Sequence, residues 1–173
     1  GCRLSSPGAG PKVQWLGIYH LGLLPDSVDL SSTGDFPEAG NQGDTNTCVA
    51  WAVGYYLKTY QERLEREWDI SLTNHQFSPS FLYNLRPVDD CREDEGMTIP
   101  DAMRIVVEKG CATLNVFPFL PGDHCTQPTE EQLQAALPYK ALTYASLFTT
   151  QGEANIGLLK QTLLAGSPFV VAI

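Results

Sequence analysis

The chain has 173 residues, enough for one domain with a proper core, and its 43% apolar and 18% charged content is that of a folded globular protein. A net charge of -9, with only 11 scattered Lys and Arg, argues against a nucleic-acid partner, because phosphate binding needs clustered cations. No apolar run reaches the ~18–20 residues that span a bilayer, and no basic-then-apolar leader opens the chain, which reads as a mature or trimmed product.

Five cysteines, Cys2, Cys48, Cys91, Cys111 and Cys125, are too few for a disulfide-dense miniprotein, and their odd number leaves a thiol over if the others pair. No two are spaced as CxxC, so no structural metal is expected, and no cofactor motif stands out. Gly1-Cys2 is compatible with the tail of a bacterial lipoprotein signal, which would put a lipid anchor on Cys2, and equally with a residue left by cloning.

In chain order, residues 1–23 lack a clean period and read as an extended arm. Leu24-Pro25-Asp26-Ser27-Val28-Asp29-Leu30 starts the folded body, and the Gly- and polar-rich stretch 31–47 is a loop. Val49, Val53, Tyr56, Leu57, Tyr60 and Leu64 then recur at spacings of three and four, predicting a helix to about Glu67 with Asn46 and Thr47 as caps. Cys48 falls in its first turn. Glu62-Arg63-Leu64-Glu65-Arg66-Glu67 reads as a solvated face with near-neighbour ion pairs.

Ser78-Pro79 opens a second helix carrying Phe81, Leu82 and Leu85. Thr98-Ile99-Pro100-Asp101 opens a third, with Ala102, Met103, Ile105, Val106 and Val107 inward and Gly110 as its stop. A fourth is capped at Thr129, with Gln132 three residues on, and ends before Pro138. Ala141–Phe148 is a candidate strand, Asn155–Leu164 a fifth helix stopped by Gly166, and Pro168–Ile173 the start of a β-rich run. A domain rarely ends on an apolar strand, so the chain reads as truncated or cut.

The chemistry centres on Cys48. A thiol attacks carbonyls as the thiolate, a form favoured at a helix N-terminus beside a histidine. Acyl transfer also needs donors aimed at the developing oxyanion. A backbone N–H at the helix start supplies one, and the Gln42 amide, six residues earlier on a loop of small turn-forming residues, can supply another. The bland alternatives are an inert core cysteine and a loop hydrogen-bonder; the combined loop, cap and Gln–Cys spacing favours the catalytic reading. Trp51, Tyr55, Tyr56 and Tyr60 read as helix packing rather than a ligand cage.

Taken together, Leu24–Leu30, Asn41-Gln42-Gly43, Cys48-Val49-Ala50-Trp51-Ala52, Phe77-Ser78-Pro79-Ser80-Phe81-Leu82-Tyr83 and Phe117-Pro118-Phe119 resemble the start of mature papain-like cysteine peptidases, bacterial members above all. The likeness extends over residues 24–173, with Leu158–Ile173 resembling the segment before the family's histidine strand. It implies an α+β, papain-like fold. Residues 24–140 would form the mainly helical left-hand domain, built on the helix starting at Cys48, and residues 141–173 the first, incomplete part of the β-rich right-hand domain. It implies peptide-bond hydrolysis with Cys48 as nucleophile and Gln42 in the oxyanion hole. Gly96 would pair with extended substrate, and Met97 and Ile99 would lie near the pocket for the side chain two residues before the scissile bond. Cys91 and Cys125 roughly match a paired set in the family, with Cys111 as a competitor for that disulfide. The compartment implied is secreted, periplasmic or cell-surface.

The departures are specific. Thr45 stands where the family has a cysteine, so the usual disulfide beside the nucleophile cannot form, and Val49 replaces an aromatic. The family's general-base His and its Asn lie ~130–150 residues past the nucleophile, beyond residue 173. They would come from a carboxy-terminal half in the same or a second chain. His20, His75 and His124 match no family position. The competing expectation is an inactive pseudoenzyme or peptide-binding module that keeps the fold.

Overall fold

The helix predicted by the apolar spacing is the spine of the fold. In the computed structural model, which describes residues 2, 24–87, 95–147 and 156–172, it runs without a break through Cys48–Ala50, Trp51–Lys58 and Thr59–Arg66, together α1. Glu67 ends it in the left-handed region at φ 56°. The sequence predicts regular α-helix throughout, but Trp51–Lys58 is wound as π-helix. Wider i→i+5 turns place more residues on each turn, and Trp51, Val53, Gly54, Tyr55 and Lys58 are all buried there, more than one narrow stripe would hold.

Two further expectations for α1 are corrected. The apolar stripe stops at Tyr60, for Leu64 is 50% exposed. Glu62 is not on a solvated face but buried, 2.6 Å from the equally buried Lys58 ammonium, and its second oxygen holds Arg66. A carboxylate is tolerated inside a fold when cations meet it on both oxygens.

The other helices begin where their capping residues predict. Ser78 accepts a hydrogen bond from the Phe81 N–H at the start of α2 (Pro79–Asn84), and Thr98 accepts one from the Asp101 N–H at the start of α3 (Ile99–Glu108). Thr129 and Gln132 form a reciprocal capping box on α4 (Glu130–Ala136), whose α geometry does end before Pro138, in a 3-10 turn over Leu137–Tyr139. Gly110 follows α3 at φ 82°, and a Cβ there would lie 2.0 Å from the Ala136 carbonyl oxygen, so only glycine admits this crossing. The last helix, α5, spans Ile156–Leu164; its expected first residue, Asn155, lies outside the described residues.

The core forms where α1 crosses α2 and α3. Val49, Ala50 and Val53 meet Phe81, Leu82 and Tyr83 and then Ala102, Ile105 and Val106, with Phe77, Cys111, Ala112, Phe117 and Ala136 closing the cluster. At ~1.5–3 kcal/mol for each large apolar side chain removed from water, this cluster is the main source of stability. The Phe117-Pro118-Phe119 turn clamps it from outside, Phe117 edge-on to Phe81 at 5.9 Å and Phe119 edge-on to Trp51 at 5.0 Å.

β structure among the described residues consists of isolated bridges, including an antiparallel Phe77–Thr113 contact and a parallel Cys2–Met97 contact. Neither expected strand forms within them. Ala141–Leu147 holds one bridge residue, Ser146, and Pro168–Ala172 has no ladder; Phe148 and Ile173 lie outside the described residues. Extended chain becomes strand only when a neighbour takes up successive N–H and C=O groups, and the Ala141 N–H bond to the Val106 carbonyl is a single contact, not a ladder. The Tyr60 hydroxyl donates to the Gly166 carbonyl at 2.9 Å and ties the end of α5 to α1.

Candidate active site

Cys48 is the first residue of α1, half-buried, and packs against the edge of the core cluster. Thr47 occupies the cap position, but its hydroxyl does not cap the helix, contrary to the sequence expectation. It lies 2.7 Å from the Thr45 hydroxyl instead. The first intrahelical bond runs from the Trp51 N–H to the Thr47 carbonyl, so the N–H groups of the opening turn precede the regular ladder. Such a terminus favours negative charge on whatever faces it.

The preceding loop is braced onto this helix start by side chains. Gln42 Nε2 donates to the Thr45 carbonyl at 2.7 Å, and Thr45 Oγ1 donates back to the Gln42 carbonyl at 2.8 Å. Because Thr45 donates to Gln42, its link to Thr47 must be one it accepts, giving a chain Thr47–Thr45–Gln42 that leads from the cap to the amide. Thr45 is 8% exposed, so little water competes for these bonds. In this loop, the hydrogen bonds of Thr45 fasten Gln42 to the helix start. Gly40 lies flat on Trp51, where a Cβ would come within 2.1 Å of the ring, and this close approach sets the loop against α1.

Gly96 and Met97 are buried, and Ile99 is half-buried at the start of α3 against the same cluster that Cys48 touches. The Glu95 carbonyl accepts the Tyr83 hydroxyl at 3.0 Å, which fixes the backbone entering this segment. Cys2 bridges to Met97 and, like Cys48, packs on the core cluster. Burial, and then the charge of the neighbouring Cys48, push the Cys2 thiol up. Cys48, Cys2 and Ile99 each pack against the core cluster that contains Met97, and the Thr45–Thr47 chain joins Gln42 to the helix start that carries Cys48.

Chains already solved offer a direct comparison for this arrangement. The chain superposes on xylellain, a cysteine protease from Xylella fastidiosa, with a TM-score of 0.64 and 23% identity over 83% of its own length. The fold is shared with a cysteine protease. The match covers 55% of the xylellain chain, so this chain spans about half the length of that protein. No family model and no curated protein matches the sequence. At this identity the likeness concerns the fold, and it supports the papain-like architecture expected from the motifs.

The remaining cysteines and histidines sort by environment. Cys111 is fully buried and burial pushes its thiol far up, which makes it an inert core residue. Cys125 is disulfide-bonded, whereas its expected partner Cys91 lies outside the described residues. His75 stacks on Trp68 at 4.5 Å, just past the end of α1 opposite to Cys48. His124 is buried, its ring edge-on to Tyr83 and its carbonyl accepting Arg86. His20 lies outside the described residues. Among the described residues, no group of three or more His, Cys, Asp or Glu gathers as a metal site, and no helix is long and apolar enough to cross a membrane.

Sequence reasoning missed the bracing role of Thr45 and the position of Cys2. For Thr45 the Thr45-x-Thr47 pattern was available as a signal, since two hydroxyls flanking a cap can bond each other. For Cys2 there was none, because its partner Met97 is distant in sequence.

Proposed function

We propose that this chain is the nucleophile-bearing part of a papain-like cysteine peptidase. Cys48 attacks the scissile carbonyl and forms a thioester, and a histidine outside this chain takes its proton and returns it to the leaving amine. The observation that carries the reading is the half-buried thiol at the first residue of a long helix whose cap side chain is turned away, within a fold shared with a cysteine protease. The Cys48 N–H and the Gln42 amide would hold the oxyanion. One Gln42 N–H is engaged by the Thr45 carbonyl, which orients the carboxamide and leaves its second N–H for the substrate. Gly96 would offer backbone to an extended peptide, with Met97 and Ile99 under the substrate side chain.

The general base and its Asn would come from a carboxy-terminal half, in the same chain or a second one. The disulfide at Cys125 supports an oxidising compartment, secreted, periplasmic or at the cell surface. Turnover of a peptide substrate by the full-length protein tests the assignment. Cys48→Ala should abolish hydrolysis, and Gln42→Ala should lower kcat by about 10²–10³ with little change in KM. Hydrolysis that survives Cys48→Ala would overturn it.

A further inference from the structure

The loop that carries Gln42 is tied to α1 by aromatic side chains that the hydrolase reading leaves unused. The Gly40 N–H donates to the Tyr56 hydroxyl at 3.0 Å, and the Tyr55 hydroxyl donates to the Glu38 carbonyl at 3.1 Å. Gly40 itself is seated on the Trp51 ring, and Phe36 stacks on Tyr60 at 4.4 Å, so residues 36–40 are pinned along α1 just ahead of Gln42. The π winding makes this possible. In an α-helix with about 3.6 residues per turn, Tyr55 would lie about 40° round from Trp51 but Tyr56 about 140°, on the far side. The wider i→i+5 turn of Trp51–Lys58 brings both close to the direction of Trp51. The three rings meet accordingly, Trp51 edge-on to Tyr55 at 4.8 Å and Tyr55 edge-on to Tyr56 at 5.0 Å. Burial, and then the neighbouring Tyr56 and Glu38, push the Tyr55 hydroxyl up, which keeps it a donor.

We propose that Tyr55 and Tyr56 are positioning residues for the Gln42 carboxamide, acting through the backbone of residues 38–40; this rests on the hydrolase reading, in which Gln42 faces the oxyanion. Thr45 fixes Gln42 from the side of the helix start, through bonds to its carboxamide and its carbonyl, but a loop held at one end still swings. The two tyrosines hold the other end. With both ends fixed, the second Gln42 N–H stays aimed where negative charge develops in the transition state, and a donor held there beforehand costs no reorganisation as the charge appears. Neither tyrosine contacts the substrate, so each acts only through Gln42.

The test is steady-state turnover of a peptide substrate by the full-length protein. Tyr56→Phe removes one hydroxyl and should lower kcat about tenfold, with KM within about twofold. Alkylation of Cys48 by iodoacetamide should keep its wild-type rate, because alkylation builds no oxyanion. Tyr55→Phe should show the same pattern. In a Gln42→Ala background, adding Tyr56→Phe should change kcat by less than about twofold, since nothing remains for the tyrosine to position. The proposal is overturned if both tyrosine variants turn over at the wild-type rate, if the loss falls on KM or on Cys48 alkylation, or if the Tyr56→Phe loss persists in full without the Gln42 amide. The hydrolase reading is judged separately, by Cys48→Ala and Gln42→Ala alone. If these abolish or lower turnover while the tyrosine variants do not, only the positioning role fails; if they leave turnover intact, both fall.

Discussion

The crossing of α1 with α2 and α3 and the stretch after residue 140 have comparable apolar content but opposite fates. In the crossing, Phe77, Phe81, Leu82 and Tyr83 are wholly buried. After it, in the extended stretches, Leu142 is 99% exposed and Val171 58%. Amphipathic helices supply each other's apolar partners as they pack, whereas extended segments need neighbouring strands before their side chains and backbone groups are satisfied. The helical region is therefore self-sufficient in packing, and the later segment presents apolar surface of the kind that a further structural layer would cover.

The sharpest way to break this contrast is by truncation. Phe81→Ala should cost about 3–5 kcal/mol in a denaturant titration, while Leu142→Ala should stay within about 0.5 kcal/mol. Equal losses at the two positions would mean that the exposed segment is packed in solution and that the comparison is wrong.

A smaller effect probes the brace beneath the site. Thr45→Val keeps the shape but removes a buried hydroxyl that bonds both Gln42 and Thr47, and it should cost about 1–2 kcal/mol. In the full-length protein the same change should lower kcat more than it raises KM, because it frees the Gln42 backbone that carries the carboxamide without touching the substrate.

What the sequence announced and what it hid divide along similar lines. Ser78, Thr98 and Thr129 start helices where predicted, since a cap is a matter of three or four adjacent residues. The position of Cys48 at a helix start was readable for the same reason, from a loop followed by a periodic run. The π turns of α1 were not, because spacings of three and four fit an α-helix equally well and the choice is made by packing from several sides. Burial of Glu62 was hidden by its neighbours Arg63, Glu65 and Arg66, which suggest solvent, although Lys58 four residues earlier carried the pairing signal. Thr47 resembles a cap by residue type, yet its hydroxyl is drawn to Thr45. Among the described residues, the runs expected as strands after residue 140 form no ladder, because an apolar run does not by itself specify a pairing partner. The Cys2–Met97 pairing belongs to the same class: it joins distant segments, and only three dimensions reveal it.

The smallest predicted effect lies on the exposed turn after α1. Asp69 is held below the usual carboxylate range, chiefly by the Ser71 hydroxyl and then by the Ser71 N–H on the same oxygen. A depressed carboxylate stabilises the fold above its unfolded pKa of about 3.9, and that contribution disappears as pH falls through the folded value. Ser71→Ala should move the Asp69 titration, followed by NMR, back up toward the ordinary range. An unmoved midpoint would mean that the hydroxyl is not its cause.

The central claim concerns one sulfur, and covalent trapping tests it most directly. The reduced full-length protein, treated with a peptidyl epoxide and mapped by mass spectrometry, should carry a single adduct on Cys48, with Cys111 unmodified. An adduct on Cys2 or Cys111 in place of Cys48, or no adduct at all, would contradict the account.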